Sequence, residues 1–369
     1  MKVLVAMSGG VDSSVAAYLL KKQGHEVAGL SFELWDKRDL KDSGTCCSVE
    51  TIQLAKSVAD SLGIDHFTAD VRDVFYSRVI ESFCESYLKG ITPNPCILCN
   101  QYIKFDFLLR KAAELGADMV ATGHYARVKK RSEIRGQRSD ENSTEESHQA
   151  PRNLLLKGID AQKDQSYVLY VMKQEELGKT LFPLGEMKKS DTRSIAGEIG
   201  LVTALRPESQ EICFVGNNKY ADFMRGFSPE SLQPGAIVDM NGRVVGKHDG
   251  IAFYTVGQRR GLGIQSLKPH YVVKIDHDNN TVTAGSRDDV MKNSLIVKDL
   301  NWICMDAPDR SFTAGVKIRS TMKEKPATVS PMDTNRVRVV FDAPQWAPAP
   351  GQSAVFYNDD IVVGGGIIE

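Results

Sequence analysis

Apolar positions in the first 125 residues follow two alternating periods. Lys2–Met7 is a short apolar run of the length expected for a buried parallel strand. Val11, Val15, Tyr18, Leu19 and Lys22 continue at helical spacing, and Gly24 supplies a C-terminal stop. The unit then repeats. Val27–Phe32 predicts a second strand, and Ile52, Ala55, Ala59 and Leu62 predict a helix stopped by Gly63. Ile64–Ala69 and Asp118–Thr122 predict two more strands, with helices over Val74–Leu88 and Ile103–Leu115 between them. Such strand–helix units imply an α/β fold built on a doubly wound parallel sheet.

Residues 129–151, KKRSEIRGQRSDENSTEESHQAP, interrupt this pattern with mixed charges, Ser, Asn and Gln. They predict a solvated, disordered insertion. Short helical patterns return at Gln165–Met172, Glu175–Phe182 and Asp191–Gly200. After about residue 234 the pattern becomes β-rich, with runs at Tyr271–Ile275, Thr281–Ala284, Ala314–Ile318, Arg336–Phe341 and Ser353–Tyr357. The expected organisation is a first domain over 1–208, a small central domain over 209–288 and a β-barrel domain over 289–369.

Composition narrows the class. Apolar residues make up 42% and charged residues 25%, the profile of an ordinary globular chain. No apolar run approaches a membrane span, and Met1-Lys2 leads straight into a strand, so a cytoplasmic protein is expected. Lys and Arg (46) balance Asp and Glu (47), so a nucleic-acid partner would need local basic patches.

The first strand runs into AMSGGVDSS, residues 6–14. In a strand–loop–helix setting, Gly9 and Gly10 let backbone N–H groups approach a phosphate, and the helix adds its positive end. Ser8, Ser13 and Ser14 can donate to phosphate oxygens, and Asp12 can hold Mg²⁺ against them. A G-x-x-x-x-G-K-[ST] loop would place a lysine on the outer phosphates, but none follows these glycines. S-G-G-V-D-S instead resembles the PP-loop of the ATP pyrophosphatases. In that family the loop grips the β,γ-pyrophosphate and leaves the α-phosphorus open to attack. The resemblance implies AMP transfer to an oxygen.

Seven cysteines, an odd number, argue against a disulfide scaffold. Cys46, Cys47, Cys84, Cys96 and Cys99 fall in the first hundred residues, followed by Cys213 and Cys304. TPNPCILCN, residues 92–100, leads by two prolines into a helix that continues through QYIKF, placing Cys99 near the helix N-terminus. A helix dipole there lowers a thiol pKa by about one unit, which assists a nucleophile without completing its activation. The alternative, a C-x-x-C on structural zinc, needs two more ligands, which His124 and Cys213 could supply.

Further motifs follow in order: ATGHYAR (121–127) at a strand end, DAQKDQSYVLY (160–170), ICFVG (212–216), GQRRGLGI (257–264) with Arg259 and Arg260, and PGQSAVFY (350–357). Together with S-G-G-V-D-S and T-P-N-P-x-x-x-C-N, they identify the chain as resembling the bacterial-type tRNA-specific 2-thiouridylase (MnmA) family. The resemblance covers the whole length except 129–151. It implies a PP-loop domain, a small central domain and a C-terminal β-barrel.

It also implies replacement of the 2-oxygen of a tRNA wobble uridine by sulfur. Carried over by motif, Ala6, Met7, Ser8, Gly9, Gly10, Val11, Asp12 and Ser13, with Phe32 and Gly123, would bind ATP. Asn94, Pro95 and Cys96 would meet the target base. His124, Lys163, Asp164, Gln165, Arg319, Ser320 and Gln352 would contact or orient tRNA. Cys99 would be the nucleophile and Cys213 the persulfide carrier, passing through a transient Cys99–Cys213 disulfide that a reductant resets. Cys99 either releases sulfur from the Cys213 persulfide directly or acts after hydrosulfide has left. The implied cofactors are ATP and Mg²⁺. The implied partners are a tRNA with a wobble uridine and a persulfide donor, either a cysteine desulfurase or a sulfur-relay protein. Some members carry Asp where this chain has Cys96, which leaves an acid–base role at that position without its carboxylate.

Besides a non-enzymatic adenine-nucleotide sensor, for which Asp12 and the two thiols would be superfluous, two other readings compete. One is another PP-loop ligase that adenylates a small molecule. The other keeps the tRNA substrate but makes Cys96, Cys99 and Cys213 ligands of a sulfur-carrying iron–sulfur cluster.

Overall fold

In a computed structural model that describes residues 1–35, 49–135, 153–206, 212–215 and 220–369, the early apolar runs pair as parallel neighbours. Strands β1 (Lys2–Ala6), β2 (Glu26–Glu33), β3 (Asp65–Asp70) and β4 (Met119–Ala121) form a sheet in the order β3-β2-β1-β4. Leu4, Leu30 and Val120 face one side and pack on Leu108 and Ala112 of helix Asp106–Glu114. Val3, Val5 and Ala121 face the other side. There they meet Val15 of α1 (Val11–Lys22), Ala55 and Ala59 of α2 (Val49–Leu62), and Ala196. Burial on both faces explains why these strands are continuous apolar runs rather than alternating ones.

Two helical stretches are longer than their patterns and carry π turns, Tyr76–Glu81 within 72–88 and Asn100–Phe105 within 95–114. The second begins at Pro95, whose missing N–H costs nothing at the first helical position.

The hairpin β5 (Ala126–Lys130) and β6 (Asn153–Lys157) leaves this domain and joins the C-terminal sheet. Its register continues to Lys130–Asn153, the base of the expected insertion. Residues 129–135 are therefore ordered, contrary to the expectation for 129–151. They complete β5 and form a short helix, Arg131–Arg135, and the Arg131 guanidinium donates to the Cys304 carbonyl. The remainder of that insertion lies outside the described residues, as do Cys46 and Cys47.

The helix expected over Glu175–Phe182 also divides. Gln174–Gly178 is helical, and β7 (Thr180–Leu181) adds a fifth parallel strand beside β4.

The central unit is a sheet of β8 (Gly235–Val238), β9 (Val244–His248), β10 (Tyr271–Asp276) and β11 (Thr281–Gly285) around Ile237, Val272 and Val282. The C-terminal unit comprises β12 (Met291–Trp302), β13 (Phe312–Lys317), β14 (Lys325–Pro331), β15 (Arg336–Trp346), β16 (Ser353–Asn358) and β17 (Ile361–Ile368). Pairing of β12 with β17 closes these six into a barrel around Val316, Val329, Val339 and Phe356, removing its edges.

Candidate active site

The chain leaves β1 at the point where the strand order reverses, beside the end of β4, the crevice in which open α/β sheets bind ligands. Gly9 turns there with φ +69, and a Cβ on it would lie 2.2 Å from the Thr51 carbonyl oxygen, so only glycine fits. Gly10 begins α1 with no side-chain cap, leaving the positive helix end on the crevice. The hydroxyls of Ser13 and Ser14, expected on phosphate, bond within the loop, and Ser13 also lines the cavity described below. Both donate to the Gly10 carbonyl, at 3.2 and 2.8 Å, and Ser13 Oγ accepts from the Ser8 N–H at 3.2 Å. They fix the shape of the loop.

Asp12, in the first turn of α1, has partners that the sequence did not announce. Lys189 Nζ lies 2.7 Å from both carboxylate oxygens, and the Tyr125 hydroxyl donates to Oδ1 at 2.8 Å. Tyr125 OH also lies 2.9 Å from Thr192 Oγ1. Burial raises the Tyr125 pKa far above the ordinary phenol value, so it stays a donor. Gln165 clamps Tyr125 through two bonds, to its N–H at 3.0 Å and from its own N–H to the Tyr125 carbonyl at 2.9 Å. Gly123 packs on the same turn, and Arg206 donates to the Gly9 carbonyl at 2.8 Å.

A cavity of about 700 Å³ extends from this loop to the two expected cysteines. Ala6, Met7, Gly10, Val11 and Phe32 line one end, and Phe32 packs edge-on to Phe107. Pro95, Cys96, Cys99 and Cys213 line the other. Asn94 caps the helix that carries Cys96 and Cys99, its side chain accepting from the Cys96 N–H at 3.2 Å. Cys96 is exposed at the second helical position, whereas Cys99 is buried one turn further on. Cys99 thus lies near the helix N-terminus but beyond its first turn. The dipole fades within the first turn, so Cys96 receives more of it than Cys99 does. Cys213 reaches the same wall from residues 212–215, which pack with Phe75, Val79 and Phe83 of the first domain.

The residues expected on tRNA divide by what their side chains touch. Lys163 and Ser320 line the cavity mouth, and Arg259 and Arg260 are exposed on the central unit. His124 lines the cavity too, but it is buried near the rings of Phe105 and Phe182, with Nδ1 2.7 Å from Thr122 Oγ1. Burial, reinforced by Lys104, holds its pKa well below 6.5, so it faces the cavity neutral.

The remaining four bond to other parts of the protein, Gln165 to the Tyr125 backbone as described above, and Asp164 and Gln165 also line the cavity. Asp164 accepts from the N–H groups of Gly158 and Ser166 at 3.1 Å each and lies 3.5 Å from Lys317 of β13. Arg319 donates to the carbonyls of Ala347 (2.9 Å) and Val256 (3.3 Å), joining barrel to central unit. Gln352 donates to the carbonyls of Thr92 (3.0 Å) and Pro93 (3.3 Å), tying the barrel to the segment before Cys96.

Lys189 and Arg206 are the functional candidates that motif reading missed. Nothing in the sequence marked Lys189, and what singles it out is its burial. It opens helix Lys189–Glu198, where a cation opposes the helix dipole, yet it is only 8% exposed. A buried cation so placed requires an anion nearby.

Among the described residues no three His, Cys, Asp or Glu side chains are grouped to hold a metal ion. Asp12 fits Mg²⁺ as the single carboxylate used when phosphates and water supply the other ligands.

Residues 1–217 match the tRNA methyl transferase HUP domain, residues 221–286 the tRNA methyl transferase PRC-barrel domain, and residues 292–368 the aminomethyltransferase beta-barrel domain. The chain is 48% identical over 371 residues to tRNA-specific 2-thiouridylase MnmA 2 of Caldanaerobacter subterraneus subsp. tengcongensis, covering 100% of this chain and 98% of that one. It is 46% identical to tRNA-specific 2-thiouridylase MnmA of Acetivibrio thermocellus, over 100% and 99% of the two chains. Against the enzyme of that name from Clostridioides difficile the identity is 45%, over 100% and 98%.

Proposed function

The chain belongs to the tRNA-specific 2-thiouridylase family, and on that premise we propose that it uses ATP to exchange the 2-oxygen of a tRNA wobble uridine for sulfur. The observation that carries this reading is one cavity lined both by the loop at Gly10–Asp12 and by Cys99 and Cys213. A nucleotide on the loop and a base beside the cysteines would share that space.

The uracil 2-oxygen attacks the α-phosphorus of ATP. The bond from that phosphorus to the bridging oxygen breaks, and its electron pair leaves with pyrophosphate. Adenylation converts a poor leaving group into AMP. The terminal sulfur of a Cys213 persulfide then attacks C2 and displaces AMP. The Cys99 thiolate attacks the Cys213 sulfur, releasing the thiocarbonyl and leaving a Cys99–Cys213 disulfide, which a thiol reductant returns to two thiols. Mg²⁺, held by Asp12 and the phosphates, would screen the triphosphate charge.

The base must leave the anticodon stack to reach the cavity, as single-stranded RNA permits. Pro95, Cys96 and neutral His124 line the place where it would sit, and Lys163, Arg259, Arg260 and Ser320 are placed to meet the RNA outside. Arg319, Asp164 and Gln352 act by holding the units that present those groups. Among the described residues no helix is long and apolar enough to cross a membrane.

The test is incubation of tRNA with the protein, ATP, Mg²⁺ and a persulfide-loaded cysteine desulfurase, followed by nucleoside mass spectrometry. The expected product is a 2-thiouridine that requires ATP. Pyrophosphate release stimulated by a small-molecule acid but not by tRNA would replace this reading with that of a small-molecule ligase.

A further inference from the structure

Among the buried charges of the first domain, Lys189 is the one that a role confined to packing explains least. It stands at the first position of its helix, against the dipole, with its Nζ 2.7 Å from both oxygens of Asp12. For a partly buried Lys–Asp pair the lost hydration offsets much of what the pairing returns, so packing alone would be served as well by an apolar pair. Both members instead line the cavity. Asp12 stands in the first turn of α1, two residues after Gly10, and Gly10, Asp12 and Lys189 line the same cavity.

We propose that Lys189 supplies the cation missing from the loop sequence and binds the β- and γ-phosphates of ATP, stabilising pyrophosphate as it leaves. The proposal rests on the nucleotide reading above and deepens it. As the bond between the α-phosphorus and its bridging oxygen breaks, negative charge gathers on the departing pyrophosphate. An ammonium turned onto it stabilises that charge by hydrogen bonding, with no proton transferred. Lysine suits the task because it is a point charge on a flexible four-carbon stem and can turn from carboxylate to phosphate. Asp12 keeps a partner when it does so, because the Tyr125 hydroxyl remains on Oδ1. Arg206, another cation at the loop, is committed to the Gly9 carbonyl.

The test is calorimetric titration of the full-length protein with ATP, AMP and pyrophosphate, alongside tRNA-dependent pyrophosphate release. Lys189→Met should weaken ATP and pyrophosphate by about 10- to 100-fold and leave AMP within about twofold, since AMP lacks the contacted phosphates. Pyrophosphate release should fall by about 10²- to 10³-fold, as on removal of one preorganised charge donor. Lys189→Arg should recover part of both. Lys189→Met leaves Asp12 without its cation, so Asp12→Asn/Lys189→Met is measured in parallel to keep the answer independent of folding. It should show the same selective loss against Asp12→Asn alone. Equal weakening of ATP and AMP, or unchanged ATP affinity in Lys189→Met, would overturn the assignment while wild-type binding of ATP upheld the nucleotide reading. A wild type that binds neither ATP nor pyrophosphate would overturn both.

Discussion

Gly123 offers a direct test of whether the end of β4 fixes the position of the nucleotide loop. A Cβ there would lie 2.7 Å from the carbonyl carbon of Asp12 and 2.7 Å from the Ser13 nitrogen. Both are backbone atoms and cannot rotate aside. Ordinary contact begins at 3.4 Å, so in Gly123→Ala the first turn of α1 must withdraw by about 0.7 Å. Overpacking of this kind costs about 1–3 kcal/mol, which should lower the melting temperature by several degrees. The catalytic loss should be larger relative to its cause. Misplacing a positioning element by about 1 Å costs about 10²-fold in rate, or about 2.7 kcal/mol of transition-state stabilisation. The assay is tRNA-dependent pyrophosphate release at varied ATP, with tRNA affinity measured separately and expected to hold within about threefold. Gly197→Ala is the control. Nothing lies within 4 Å of a Cβ at that helical position, so it should gain about 0.5–1 kcal/mol of stability with unchanged turnover. A folded Gly123→Ala protein with kcat/KM for ATP close to wild type would refute the account.

Cys213→Ser should retain tRNA-dependent pyrophosphate release while forming no 2-thiouridine, and sulfur reaching tRNA in that variant would identify another carrier. Gln352→Ala removes two hydrogen bonds to the 92–93 segment, about 1–2 kcal/mol together. It should lower thiolation about 5- to 20-fold without changing the KM for ATP, and a parallel rise in that KM would count against a local tether. His124, His66 and His248 all have pKa values lowered from 6.5, chiefly by burial. Below that value the unfolded chain takes up protons that the folded one refuses, so stability should be present at neutral pH and decline as the pH falls through about 6. In His124→Gln the decline in melting temperature between about pH 7 and pH 5 should be shallower, and an identical decline in both proteins would show that His124 does not contribute.

Local chemistry determined a large part of this protein. Apolar runs such as Lys2–Met7 specify buried parallel strands because strands covered on both faces have no polar side to alternate. Gly9 and Gly10 specify a phosphate-type loop, and Pro95 a helix start, because each meets a backbone requirement within a few residues. Cys99 and Cys213 stood out by motif across 114 positions, but only the fold brings them to one cavity wall.

Tertiary structure decided the rest, in every case where a side chain's partner lies far along the chain. Lys189 reaches Asp12 across 177 residues, and Gln352 reaches Thr92 across 260. No period or motif encodes such pairings. Arg319 and Asp164 carry charges that the family resemblance implies would contact or orient tRNA. The fold turns one onto interior carbonyls and the other onto backbone N–H groups and Lys317, because buried polar groups must be satisfied wherever the units meet. Residues 129–135 follow the same logic. Their composition is that of a solvated loop, but the β5–β6 register extends through Lys130, and hydrogen bonding across the hairpin outweighs the local preference.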